Sequence, residues 1–165
     1  MSLTKYFPKL VRRILEGYTA DIVGEHQADF IRGRSTIYQI YVLKESIAKY
    51  YEYNKSFCCL FIDFSKAYDS INRKKLWINM DHLGIPRKLI EVAKLSVLVS
   101  KCKVRVNGEI LEDFEVNTGV RQGDGISPLL FNLAVEVALQ EIRKTEVGIK
   151  IGTNINVLAF ADDIY

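Results

Sequence analysis

Cysteine is scarce and poorly spaced for cross-linking: Cys58, Cys59 and Cys102 are the three present, two of them adjacent and none in a Cys-x-x-Cys pair. A disulfide framework and a cysteine-rich zinc module are excluded, and the thiols suit a reducing intracellular compartment, nucleus or cytoplasm. Long apolar runs are also missing. The longest, Phe57–Ile62, falls far short of the roughly 18 to 20 residues that cross a bilayer, so no membrane partner is expected. Met1–Leu10 carries Lys5, Pro8 and Lys9 without an apolar core, which argues against a secretory signal. Histidine is limited to His26 and His82, far apart in sequence, and no zinc motif or nucleophile elbow accompanies them. No repeat, low-complexity tract or Pro/Gly/Ser linker marks a domain boundary.

What remains is a chain of 165 residues, 48% apolar and 26% charged, the balance of one globular domain. Net charge is only +3, but it is unevenly distributed. Residues 66–105 hold ten Lys/Arg against three Asp/Glu, and residues 106–165 hold four against ten. A phosphate-tracking surface beside a metal-binding one would look like this; two solvated faces of opposite sign are the simpler reading.

Thr36–Tyr53, with Ile37, Ile40, Tyr41, Ile47 and Tyr51 near helical spacing, reads as a helix. The continuous run Phe57–Ile62 reads as a strand buried on both faces. Asp69 and Ser70 are N-cap residues ahead of a helix over Asn72–Leu83, stopped by Gly84. Pro86 opens another helix through about Val99. Lys103–Val106 and Ile110–Val116 flank Asn107-Gly108, a strong two-residue hairpin turn. Ser127-Pro128 starts an apolar helix over Leu129–Arg143, and Ile149–Ile151 and Ile155–Phe160 read as strands. An α+β fold results, with an antiparallel sheet backed by helices.

Two acidic sites follow apolar strands: Asp63 after Phe57–Ile62, and Asp162 and Asp163 after Val157–Ala161. Two carboxylates about 4 Å apart repel by about 4 kcal/mol at an effective dielectric near 20. A cluster of three therefore calls for a cation, and Mg²⁺ takes oxygen ligands of this kind. Neighbours on a strand face opposite ways, so Asp162 and Asp163 must sit at a turn to serve one site, with a partner strand expected only where the chain stops. An isolated Asp-Asp is otherwise just a polar turn. The third element, Thr118-Gly-Val-Arg-Gln-Gly-Asp-Gly-Ile-Ser-Pro128, has glycines that allow backbone close to a ligand, and it leads into a helix N-terminus that favours anions. It matches neither standard glycine-rich nucleotide loop.

Taken together, the pieces resemble a reverse transcriptase of the non-LTR retrotransposon, LINE-like group. Asp63-Phe-Ser-Lys-Ala-Tyr-Asp69 resembles the first palm motif, Gly119-Val-Arg-Gln-Gly-Asp-Gly-Ile-Ser-Pro-Leu-Leu-Phe-Asn132 the second, and Phe160-Ala-Asp-Asp163 the third. Gln27-Ala-Asp-Phe-Ile-Arg-Gly-Arg-Ser-Thr36 resembles a fingers motif. The resemblance implies a polymerase palm with partial fingers, about residues 1–56 as fingers and 57–165 as fingers and palm, truncated after the third motif with the thumb missing.

By the same resemblance Asp63, Asp162 and Asp163, with the Phe64 carbonyl, hold two Mg²⁺ ions (Mn²⁺ as a substitute) for two-metal nucleotidyl transfer to a primer 3′-hydroxyl. Tyr68 matches the aromatic gate that excludes a 2′-hydroxyl. Gln122 and Gly123 pack against the incoming nucleotide, and Arg34 and Arg32 reach the triphosphate. The implied partners are an RNA template, a DNA primer and a deoxynucleoside triphosphate. The chain departs from the family pattern at Asp29-Phe30-Ile31, where Gly-Phe-Arg is usual. A non-catalytic nucleic-acid-binding remnant and a group II intron-type fragment are the alternatives.

Overall fold

Helices combine with short antiparallel strand pairs in the computed structural model, which describes residues 3–20, 22–24, 27, 35–98, 101–145, 148–151 and 153–165. In chain order the elements are α1 (Leu3–Thr19), α2 (Thr36–Glu52), α3 (Ala67–Ser70), α4 (Arg73–His82) and α5 (Arg87–Leu98). Then come β1 (Lys101–Cys102), β2 (Arg105–Val106), β3 (Glu109–Ile110), β4 (Phe114–Glu115) and α6 (Ser127–Arg143). The chain finishes with β5 (Ile149–Ile151), β6 (Thr153–Ile155), β7 (Ala159–Phe160) and β8 (Asp163–Ile164). Every strand pair is antiparallel, so the fold class is α+β. Two compact units form: Met1–Tyr18 with Lys66–Ala134, and Thr19–Ser65 with Val135–Tyr165.

In the first unit, Val11 and Leu15 lie four residues apart and turn one stripe of α1 inward. This helix escapes a sequence reading because Pro8 interrupts its pattern. The cap of α4 is Asn72, whose Oδ1 accepts the Lys75 N–H at 3.1 Å. Asp69 and Ser70, the expected caps, are instead taken up in the one-turn α3. Gly84, at φ +80°, follows the end of α4. Asn107 and Gly108 have φ of +50° and +90°, the signs that a tight hairpin between β2 and β3 demands.

In the second unit, β7 and β8 form a two-residue hairpin with Ala161 and Asp162 at its tip. Reciprocal bonds between Leu158 and Tyr165, at 2.6 and 2.9 Å, lengthen the ladder. Ile62 adds to the β8 side and Gln27 to the β7 side through single bridges. Beneath lies a small core of Leu139, Val157, Ala159 and Ile164, with Val135 against it. Leu139, Val157 and Ile164 each contribute roughly 1.5–3 kcal/mol of transfer free energy. Glu136, on the same helix and 1% exposed, is paired with Arg143.

Three expectations change here. Phe57–Ile62 is not a doubly buried strand: only Ile62 pairs, and Leu60 and Phe61 are 71% and 68% exposed. Its hydrogen-bonded neighbour, β8, is two residues long and offers one bridge. Phe57, Cys58, Cys59, Leu60 and Ile62 help line an apolar cavity of about 290 Å³. Ile155–Phe160 is likewise not one strand, because β6 ends at Ile155 and β7 begins at Ala159. Finally, the partner strand expected only where the chain stops is present as β8.

Candidate active site

The carboxylates are arranged by one backbone bridge. Ile62 N–H donates to the Ile164 carbonyl at 2.7 Å, and Ile164 N–H donates back at 3.0 Å. Opposite residues in antiparallel pairing share a face, so the next position on each segment sets Asp63 abreast of Asp163. Both are exposed, on the face away from the Leu139–Ile164 core. Asp162 sits in the hairpin turn behind Ala161, which has φ +53°, an uncommon value for a residue with a Cβ. The expectation of a turn at Asp162-Asp163 thus resolves into Asp162 in the turn and Asp163 as the first residue of β8.

No hydrogen bond or ion pair to these three carboxylates occurs among the described residues. Nor do three or more His, Cys, Asp or Glu side chains stand close enough to hold a metal ion, again among the described residues. The donor set is all oxygen, which is the chemistry a hard divalent cation selects.

Two buried glutamines that the sequence did not single out for a role hold the hairpin. Gln39 Nε2 donates to the Ala159 carbonyl at 2.6 Å, and its Oε1 accepts the Tyr165 hydroxyl at 3.0 Å. Gln27 Nε2 donates to the Ala161 carbonyl at 3.4 Å, and its Oε1 accepts the Ala161 N–H at 3.2 Å. The Tyr165 ring lies 5.7 Å from that of Phe61. Burial, then Asp163 and Cys59, push the Tyr165 hydroxyl above its ordinary value.

The remaining candidates within the described residues, Tyr68, Gln122 and Gly123, lie in the first unit. Tyr68, on α3, stacks on Phe131 of α6 with centroids 5.2 Å apart. The loop after Thr118 is tied to this turn by its backbone: Val120 N–H donates to the Tyr68 carbonyl and Gly119 N–H to that of Ile71, both at 2.9 Å. Gly119 has φ +71°, and a Cβ there would meet the Asp69 backbone at 2.7 Å, so only glycine fits. Arg73, a further residue that sequence reasoning missed, donates to the carbonyls of Gly119 at 2.7 Å, Val116 at 2.9 Å and Thr118 at 3.1 Å. Burial and nearby Arg121 lower its pKa. Gln122 and Gly123 are exposed beyond this tether. Arg32 and Arg34 lie outside the described residues, as does the Asp29-Phe30-Ile31 departure.

Among the described residues no helix is long and apolar enough to cross a membrane. The family model for reverse transcriptase (RNA-dependent DNA polymerase) matches residues 1–165. The chain is 33% identical over 104 residues to the Pol polyprotein of the type-2 retrotransposable element R2DM of Drosophila melanogaster, covering 62% of this chain and 10% of that protein. It is 28% identical, over 99% of its length, to the Pol polyprotein of the type-1 element R2 of Popillia japonica, covering 24% of that protein. It thus spans less than a quarter of the length of these two relatives. In fold it is similar to apo telomerase from Candida tropicalis, truncated from its C-terminal domain, with a TM-score of 0.70 and 18% identity over 97% of this chain and 34% of that one. The chain belongs to the reverse transcriptase (RNA-dependent DNA polymerase) family.

Proposed function

We propose that this chain carries the nucleotidyl-transfer centre of an RNA-directed DNA polymerase. In this reading Asp63, Asp162 and Asp163, with the Phe64 carbonyl, hold two Mg²⁺ ions beside a primer terminus and a deoxynucleoside triphosphate. The observation that carries it is the reciprocal Ile62–Ile164 bridge, which registers Asp63 against Asp163 although they are a hundred positions apart in the chain. Divalent ions held by these residues would supply a lowered pKa for the attacking hydroxyl and charge neutralisation for the departing pyrophosphate. The protein's part is to aim the three carboxylates. Asp63 and Asp163 are exposed and Asp162 is half-buried, which leaves the site open to an incoming ion.

Tyr68 acts as the sugar gate, its ring held by Phe131 so that a 2′-hydroxyl would collide with it. Gln122 and Gly123 face the incoming base pair from a loop anchored at Gly119. Arg34 and Arg32 contact the triphosphate. Template and primer are gripped through phosphates by the basic 66–105 stretch, with sequence read by base pairing. Residues 1–56 form fingers, and 57–165 fingers and palm.

Extension of an oligo(dT) primer on poly(rA) with Mg²⁺ and dTTP tests the reading, with EDTA as the control. A second reading, a non-catalytic nucleic-acid-binding remnant, is favoured by the lack of a ready three-ligand cluster among the described residues. It predicts salt-dependent binding of the hybrid with no incorporation.

A further inference from the structure

We propose that Gln27 and Gln39 are positioning residues that set the aim of the Asp162-Asp163 hairpin; the inference rests on the metal-site reading above. Both side chains are 1% exposed. Their amides meet the hairpin on either side of the acidic pair. Gln39 joins Ala159 to Tyr165, the residues before and after the turn, through one carboxamide. Gln27 closes on both polar groups of Ala161, the residue whose positive φ directs the chain into Asp162. A parallel bridge between Gln27 and Ala159 fixes the same edge through the backbone.

The chemistry suits glutamine and little else. Each site needs a donor and an acceptor on one short planar group, and it must be neutral. A carboxylate would face the Ala159 or Ala161 carbonyl without a proton to give and would add negative charge beside Asp162 and Asp163. A lysine has no acceptor for the Ala161 N–H or the Tyr165 hydroxyl. Groups that orient metal ligands, when removed, typically cost about tenfold to a hundredfold in metal affinity.

The test uses the full chain and Mn²⁺, with free ion followed by electron paramagnetic resonance well below the unfolding temperature. Wild type is compared with Asp162→Asn, Gln27→Met and Gln39→Met, the last two close in volume but without hydrogen-bonding groups. Each methionine variant is expected to raise the Mn²⁺ dissociation constant about tenfold at unchanged helical circular dichroism, and Gln27→Met to speed exchange of the Ala161 amide. In unmutated protein, Mg²⁺ is expected to shift the side-chain amide resonances of both glutamines, a measurement that does not depend on the variants folding. Wild-type affinity in both methionine variants, or unshifted glutamine resonances, would overturn the proposal alone. Binding that survives Asp162→Asn, or no binding at all, would instead overturn the metal-site reading and this inference with it.

Discussion

Ile62 and Ile164 exchange two backbone hydrogen bonds, at 2.7 and 3.0 Å, and this bridge brings the first and third acidic motifs side by side. A shift of one residue would send Asp63 to the opposite face of the pair, because side chains alternate along a strand. In the proposed reading, the alignment of Asp63 with Asp163 therefore depends on a backbone contact that involves neither carboxylate.

Ile62→Pro removes the N–H that bonds Ile164 while keeping an apolar side chain. We expect a loss of stability of about 1 kcal/mol, and a fall in primer extension of about a hundredfold, the scale of a 1 Å misplacement. Denaturant titration and single-turnover kinetics measure the two effects separately.

The loop carrying Gln122 and Gly123 is fixed at Gly119 and Arg73. Gly119→Ala drives a Cβ into the Asp69 backbone at positive φ and should cost about 2–4 kcal/mol. Arg73→Met leaves three backbone carbonyls without their donor and should cost about 2 kcal/mol. Arg73→Lys restores the charge but not the planar fork, and should recover only part of that loss. Denaturation midpoints rank the three variants.

Tyr68 rests against Phe131, so its ring is held from one side. Tyr68→Val should leave deoxynucleotide incorporation within about tenfold of wild type and raise ribonucleotide incorporation by at least about tenfold, the scale of one lost steric contact. Competing the two nucleotides on one template reads the ratio.

The Tyr165 hydroxyl keeps its proton above the ordinary 10.0 because it is buried and close to Asp163. The folded chain then binds more protons than the unfolded chain around and above that pH. This contribution to stability is whole below pH 10 and is lost as pH rises towards the folded-state value. Melting temperatures between pH 9 and 11 should fall more steeply for wild type than for Tyr165→Phe. Equal slopes would contradict the assignment.

Local chemistry made several elements legible. Asn107-Gly108 calls for a hairpin, Ser127-Pro128 for a helix start, and Gly84 for a helix stop, each through backbone preferences that act within a few residues. The motifs supplied the candidate acidic, gate and loop residues on which the proposed function rests. Burial was less legible because distant partners decide it. The spacing of apolar residues marked α2 as a helix but not its buried face: Ile37 and Tyr51 are 76% and 87% exposed, while Gln39 and Ser46 are buried. Gln39 faces inward because the Ala159 carbonyl, 120 positions away, needs a donor. The hydrogen-bonding roles of Gln27, noted only as part of a motif, and of Arg73 were hidden for the same reason, their partners being 134 and up to 46 positions distant. Asn72 won the cap of α4 over Asp69 and Ser70 because the preceding turn consumed both.

The most direct measurement is the rate of Mg²⁺-dependent dTTP incorporation on an RNA template by wild type, Asp63→Asn and Asp162→Asn, each shown to be folded. Loss of one ligand from a two-metal centre should lower the rate by at least about a thousandfold, roughly 4 kcal/mol of transition-state stabilisation. Incorporation at the wild-type rate in either variant would contradict the account.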